Sequence, residues 1–261
     1  MQLTVLNKLM NDDDLPAVTV FNRKGKSGFV ITCEHAGNAI PASLGTLGLG
    51  DADLSRHIAW DIGAATTAQR IAESLDSPLV LQRYSRLVID CNRPPEAPDA
   101  IPPVSDGTTI PGNQKISVAE HAARYEAIHR PFHQAVEALL AERTGRDCHS
   151  ALIAFHTFTP ALDDNPAPRP WDMGLLYNRD ARLAERVDRA LDGISHGYEV
   201  AHNQPYSVCD ETDYTLPVHG ESRGIYNLLL EVRNDHLRNE TDVAGWSLFL
   251  STVLKRVEQY L

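Results

Sequence analysis

Short, nearly uninterrupted apolar runs recur along this chain, and helical patterns separate most of them. FVITC (29–33), PLVLQRY (78–84), ALIAFHTF (151–158), MGLLYN (173–178) and IYNLLLEV (225–232) read as strands. ALIAFHTF, apolar almost throughout, suits a central strand covered on both faces. VTVF (18–21) before the Lys-Gly-Lys-Ser-Gly turn, RLVIDC (86–91) and GYEVAHN (197–203) are further strand candidates. A helix is expected over 51–76, where Leu54, Ile58, Ile62, Ala65, Ala68, Ala72 and Leu75 keep helical spacing up to Pro78. A second starts at Ser117, with Glu120 completing a capping box, and ends at Gly145. Pro131 should kink or split it. Residues 180–191 and 244–261 give two more helices. This alternation predicts an α/β fold, a three-layer α/β/α domain with a mostly parallel, mixed central sheet. No repeat or linker interrupts the pattern, so residues 1–261 read as a single domain, with 1–17 a leader or a capping helix.

Charge narrows the partners. Twenty-four Lys and Arg stand against 35 Asp and Glu, a net charge of −11, and no basic cluster offsets it. That disfavours nucleic acid and anionic membranes as partners. No apolar stretch reaches membrane-spanning length, and the acidic N-terminal run is unlike a signal peptide. Cys33, Cys91, Cys148 and Cys209 form no CxxC pair and read as free thiols of a reducing, cytoplasmic interior. Gly25-Lys26-Ser27 lacks the spacing of a phosphate loop. A homo-oligomer is left open.

The informative polar residues fall at strand ends. FVITC runs into Glu34-His35, RLVID into Cys91-Asn92-Arg93, ALIAF into His156 and NLLL into Glu231-Val232-Arg233. Ligands of open parallel sheets bind outside the carboxyl ends of the strands, so these groups should meet in one site. Histidines and carboxylates suit zinc or another divalent cation, which in catalytic sites takes three protein ligands and leaves one position open. His35, His156 and Glu34 are the expected ligands. Glu34 and His35 are consecutive, so both can ligate only if the backbone turns, which Gly37 permits. Otherwise Asn38, Asp61 or Asp90 would take the third place. Asn92-Arg93 suits a substrate carboxylate, or else Arg93 pairs structurally with Asp90. His129 and His133 share a helix face and are expected to line the pocket, a metal pair there being disturbed by Pro131. His219 and Arg223 suit a lid or a substrate clamp or a solvated turn, and Arg233 is a further cation for an anionic substrate. Cys33 near His35 allows a thiol nucleophile; GxSxG and HExxH are absent.

Taken as a set, these stretches resemble the N-formylglutamate amidohydrolase family. The resemblance rests on His35-Ala36-Gly37 with Ile40-Pro41, Arg86 to Pro94, His129-Arg130-Pro131-Phe132-His133, Ala154 to Pro160, Gly174 to Asn178, and Leu229 to Arg233. It covers roughly residues 28–255. It implies a zinc-carboxypeptidase-like (phosphorylase/hydrolase-like) fold and a metal-dependent hydrolase acting on non-peptide carbon–nitrogen bonds. The substrate would be the N-formyl or N-acyl amide of a small carboxylate-bearing molecule such as N-formylglutamate. In the wider zinc-carboxypeptidase group a His and a Glu three residues later bind zinc; here Asn38 stands in that fourth place. By the same resemblance His156 matches the later ligand, Asn92-Arg93 the carboxylate-holding pair and Glu231 the general base, with Arg93 a second catalytic candidate. A non-catalytic binding module, or a metallopeptidase or ester hydrolase on the same fold, is the alternative.

Overall fold

The computed structural model describes residues 9–145 and 150–261, so the first eight residues and Cys148 lie outside the described residues. The strands are β1 (Val18–Phe21), β2 (Phe29–Cys33), β3 (Leu79–Gln82), a short ribbon β4 (Val104–Ser105) and β5 (Thr108–Thr109), then β6 (Ala151–Phe158), β7 (Met173–Leu176), β8 (Val200–His202) and β9 (Tyr226–Arg233). Seven of them form one sheet in the order β1-β3-β2-β6-β9-β7-β8. The centre, β3-β2-β6-β9, is parallel. β1 joins β3 and β7 joins β9 antiparallel, which makes the sheet mixed.

The helices are α1 (Asp51–Leu54), α2 (Ala64–Leu75), α3 (Val118–Arg124), α4 (Arg130–Thr144), α5 (Arg182–Asp192) and α6 (Glu240–Glu258). Because successive strand residues face opposite ways, one strand supplies two cores. Phe29, Ile31, Ile153, Phe155, Leu228 and Leu230 pack with α2, α5 and α6. Val30, Val80 and Leu152 pack with Phe132, Val136 and Leu139 of α4 on the other face. A small third cluster, Ala154, Leu176, Val208, Leu216 and Leu229, shares the α4 side of β6 and β9.

Three departures from the sequence pattern matter. The helix expected over 51–76 is interrupted between α1 and α2. Gly63 stands there at φ +81°, and a Cβ on it would lie 2.6 Å from Leu237 Cβ. Within the break the amide of Asp61 donates to the His35 carbonyl at 3.0 Å. RLVIDC makes turns rather than a strand: the Val88 amide donates to the Ser85 carbonyl, and the Asp90 carboxylate accepts from the Asn92 amide at 2.8 Å. Pro131 does not split its helix. A π-helical turn, Tyr125–His129, joins α3 to α4, so the chain accommodates the missing proline donor and continues. Residues 9–17 contain no helix. Among the described residues, no helix is long and apolar enough to cross a membrane.

Beyond β2 the chain turns at Glu34–His35, and the stretch from Gly37 runs against residues 83–85, where the Ser85 amide donates to the Ala39 carbonyl at 2.8 Å. A Cβ on Gly37 would meet the Arg83 carbonyl oxygen at 2.1 Å, a backbone atom that cannot swing aside. Gly37→Ala is therefore expected to cost more than ~1 kcal/mol. Denaturant unfolding should show a lower midpoint with an unchanged slope, and an unaltered midpoint would contradict the close packing of this stretch.

Candidate active site

The parallel core brings its carboxyl ends to one edge. In the β6–β9 register His156 stands opposite Glu231, and Gly174 of β7 stands opposite Glu231 on the other side. His35 follows β2, and the break before α2 carries Asp61 beneath it. Asp61 is pinned twice: its amide bonds the His35 carbonyl, and its Oδ2 accepts from the Thr157 amide at 3.1 Å.

His35, Asp61 and His156 form a buried cluster whose candidate ligand atoms all lie within 4.8 Å of one another. Asp61 Oδ1 is 3.4 Å from His35 Nδ1, and Asp61 Oδ2 is 2.9 Å from His156 Nδ1. The two rings meet edge to face, with centroids 4.7 Å apart. Each ring gives its outer nitrogen to another carboxylate. His35 Nε2 lies 2.7 Å from Asp90 Oδ1, and His156 Nε2 lies 2.9 Å from Glu34 Oε2. Arg86 bonds Asp90 Oδ2 at 2.6 Å and sets Nη1 3.3 Å from His35 Nδ1. A ring that accepts from an arginine at Nδ1 carries its proton on Nε2, and its Nδ1 lone pair could ligate a cation in place of that hydrogen bond.

This pattern fits a divalent cation. Metal-binding histidines characteristically donate their other ring nitrogen to a carboxylate, which fixes the ring and raises its basicity. Two histidines and one carboxylate, converging with their outer nitrogens already held, are a donor set of that kind. The buried carboxylates are held ionised. Burial opposes ionisation of Asp61, Asp90 and Glu34, yet neighbouring histidines, and for Asp90 also Arg86, hold all three below the usual carboxylate range. Burial likewise opposes charging His156, but its bonds to Asp61 and Glu34 outweigh that and raise its pKa well above normal.

Above the cluster opens a cavity of about 480 Å³. Glu231 lines it with Oε2 buried and without a hydrogen-bond partner. Burial pushes its carboxyl up to about 7. Arg93 also lines it, donating Nη1 to the Thr212 carbonyl and placing Nε 2.9 Å from Asp99, which is half exposed. Asn92 faces the cavity too, but its amide nitrogen bonds Asp213 at 3.0 Å and its oxygen accepts from the Thr215 amide at 3.2 Å. Its side chain fastens the 210–215 loop to the 90–93 turn.

Several expected site residues lie elsewhere. Glu34 is not the carboxylate of the His–Asp–His cluster; its oxygens are taken by the far nitrogen of His156 and by Thr215 Oγ1. His129 and His133 do not line the cavity, because their helix packs behind the turn that carries Arg93. His129 Nε2 bonds the Arg93 carbonyl at 3.0 Å and His133 Nε2 bonds the Cys91 carbonyl at 2.7 Å. His219 sits behind His133, with Nε2 2.9 Å from His133 Nδ1. Arg223 precedes β9 and so lies at the opposite end of the sheet, near Glu137 at 3.3 Å. Arg233 is spent on Asp235 and on the carbonyls of residues 169–171, which tie down the loop before β7. Cys33 is fully buried and its pKa is raised by burial, which does not suit a nucleophile.

Two important residues gave weak signals. Asp61 enters the sequence reading only as an alternative third ligand, because it lies inside a helical repeat; Gly63 is the cue that the helix breaks. Arg86 opens the Arg86 to Pro94 stretch, but as the first residue of an expected strand it is not singled out as a site group.

A family model described as N-formylglutamate amidohydrolase matches residues 27–237. The crystal structure of a gene product of Agrobacterium tumefaciens aligns over 95% of this chain and 97% of its own, at 37% identity and a TM-score of 0.90. The structure of an N-formylglutamate amidohydrolase from Ralstonia eutropha aligns over 94% of this chain and 98% of its own, with a TM-score of 0.68; at 19% identity it speaks for the fold. No curated protein matches the chain. With the family model covering most of the sequence and the buried His–Asp–His cluster at the sheet edge, the chain belongs to the N-formylglutamate amidohydrolase family.

Proposed function

We propose that the protein is a metal-dependent amidohydrolase that removes the N-formyl or short N-acyl group from a small carboxylate-bearing substrate, N-formylglutamate being the family's namesake. The observation that carries this reading is the unpartnered Glu231 Oε2, on a residue that lines the same cavity as His35, Asp61 and His156. A zinc-like cation held there by His35 Nδ1, His156 Nδ1 and an Asp61 oxygen would supply Lewis-acid activation of water and of the scissile carbonyl.

The remaining chemistry belongs to the chain. Glu231 takes the proton of the attacking water and returns it to the leaving nitrogen, a task suited to a carboxylate whose pKa is tuned upward. Arg86 Nη1, at the rim of the cluster, is placed to stabilise the oxyanion as it develops. Arg93 holds the substrate carboxylate; its present partners are a backbone carbonyl and a surface carboxylate, which an anion can displace. Asn92 keeps that arginine's turn in place.

Protein purified without chelator should carry close to one equivalent of divalent metal by elemental analysis. His35→Ala, His156→Ala and Asp61→Asn should each lose it. Glu34→Gln should retain it with affinity lowered roughly 10–100-fold, as expected for a group that orients a ligand. Full occupancy in Asp61→Asn would remove Asp61 from the ligand set.

Glu231→Gln should reduce turnover of N-formyl amino acids by about 10²–10⁴-fold while leaving metal content intact. As a base, Glu231 acts only when deprotonated, so the wild-type rate should fall as the pH drops below about 7. The bound cation moves that limb lower, and the limb should vanish in the glutamine variant. Arg93→Ala should cost about 1.5–3 kcal/mol more for a carboxylate substrate than for its neutral amide. Equal losses on both would leave Arg93 with no carboxylate-binding role.

A further inference from the structure

Directly beneath the reactive row of the sheet lies an apolar one. One pleat below the His156–Glu231–Gly174 row, the same registers place Ala154 beside Leu229 and Leu229 beside Leu176. Side chains two apart on a strand share a face, so Leu229 points the same way as Glu231. Val208, from the loop after β8, closes this layer, and with Leu176 and Leu229 it lines the cavity. All three are well packed, at 5% exposure or less, and each shows the cavity only a small part of its surface. The deep end of the cavity therefore has an aliphatic floor.

The charges around it are just as informative. Among the described residues, the only arginines or lysines lining the cavity are Arg86 and Arg93. Arg86 is held by Asp90 and lies against Asp61 and His35. Arg93 is the one left for an incoming carboxylate. The acids lining the cavity are Asp61, Asp213 and Glu231. Arg169 stands beyond the strand ends, over the Tyr206 ring at 4.8 Å and bonded to the Thr159 carbonyl, so a second substrate carboxylate reaching the floor would find aliphatic side chains and acidic neighbours and no arginine or lysine among them. An unpaired carboxylate buried in such surroundings is strongly disfavoured.

We infer that the preferred substrates are N-formyl amino acids with one carboxylate and an uncharged aliphatic side chain, rather than the dicarboxylate N-formylglutamate. The inference rests on the hydrolase reading above for its chemistry, but the preference itself is a property of the cavity. The α-carboxylate pairs with Arg93, the formyl carbonyl lies at the metal cluster beside Glu231, and the side chain descends onto Leu176, Val208 and Leu229.

The test compares N-formylleucine, N-formylglutamine and N-formylglutamate with the metal-loaded wild type. It also measures their binding to the Glu231→Gln variant by calorimetry. N-formylleucine should exceed N-formylglutamate in kcat/KM by roughly 100-fold or more. N-formylglutamine, of equal length but neutral, should exceed it by at least about 10-fold. Dissociation constants in the variant should follow the same order. Val208→Lys, which places a cation at the floor, should narrow or invert the preference. N-formylglutamate turned over or bound as well as N-formylglutamine would overturn the inference while leaving the hydrolase intact. Selective binding of N-formylleucine to the variant, without turnover of any N-formyl compound by wild type, would sustain the inference and sink the hydrolase reading.

Discussion

Two buried carboxylates, Asp90 and Glu34, each grip the outer nitrogen of a histidine, and the geometry of the site follows from that. With Nε2 held, each imidazole has one nitrogen left to present inward, and both inward nitrogens face Asp61. The fully buried Glu34 would be costly alone; pairing with His156 and Thr215 keeps it ionised. Arg86 does the same for Asp90 and extends the network toward the cavity. Removing one partner would leave an uncompensated charge, so changes at one member are expected to be felt by the others.

Much of this arrangement was legible in the residues. Apolar runs identified β2, β6 and β9 as strands, with β6 suited to the centre, and the polar residues at their carboxyl ends pointed to one edge of the sheet. The reading went astray where local pattern and tertiary contact disagree. Asp61 lies in a stretch whose apolar spacing is helical on both sides, and the backbone leaves the helix there because Gly63 adopts a left-handed conformation against Leu237. Glu34 and His35 are adjacent, so sequence could suggest that both ligate; the fold instead sends Glu34 behind His156. His129, His133 and His219 looked like pocket groups because histidines concentrate in sites. Here His219 stacks on and bonds His133, and His129 and His133 hold the backbone carbonyls of the turn bearing Arg93.

The cavity divides its work by depth. At the level of the strand ends it is ionic, with the metal-binding cluster, Glu231 and Arg93. One pleat deeper it is aliphatic. The division comes from the sheet itself, since the parallel pairing of β6 with β9 and the antiparallel pairing of β7 align polar with polar and apolar with apolar across three strands. Family membership identifies the amide chemistry, and the deeper layer is where members of one family can differ in the side chain they accept.

The central claim is that His35 Nδ1, His156 Nδ1 and an Asp61 oxygen hold a divalent cation while Glu34 orients His156 from behind. Anomalous diffraction from zinc-loaded crystals tests it most directly. The account predicts a single peak about 2.0–2.2 Å from those three atoms, with Glu34 still bonded to His156 Nε2. A peak coordinated by Glu34, or one centred among His129, His133 and His219, would contradict it.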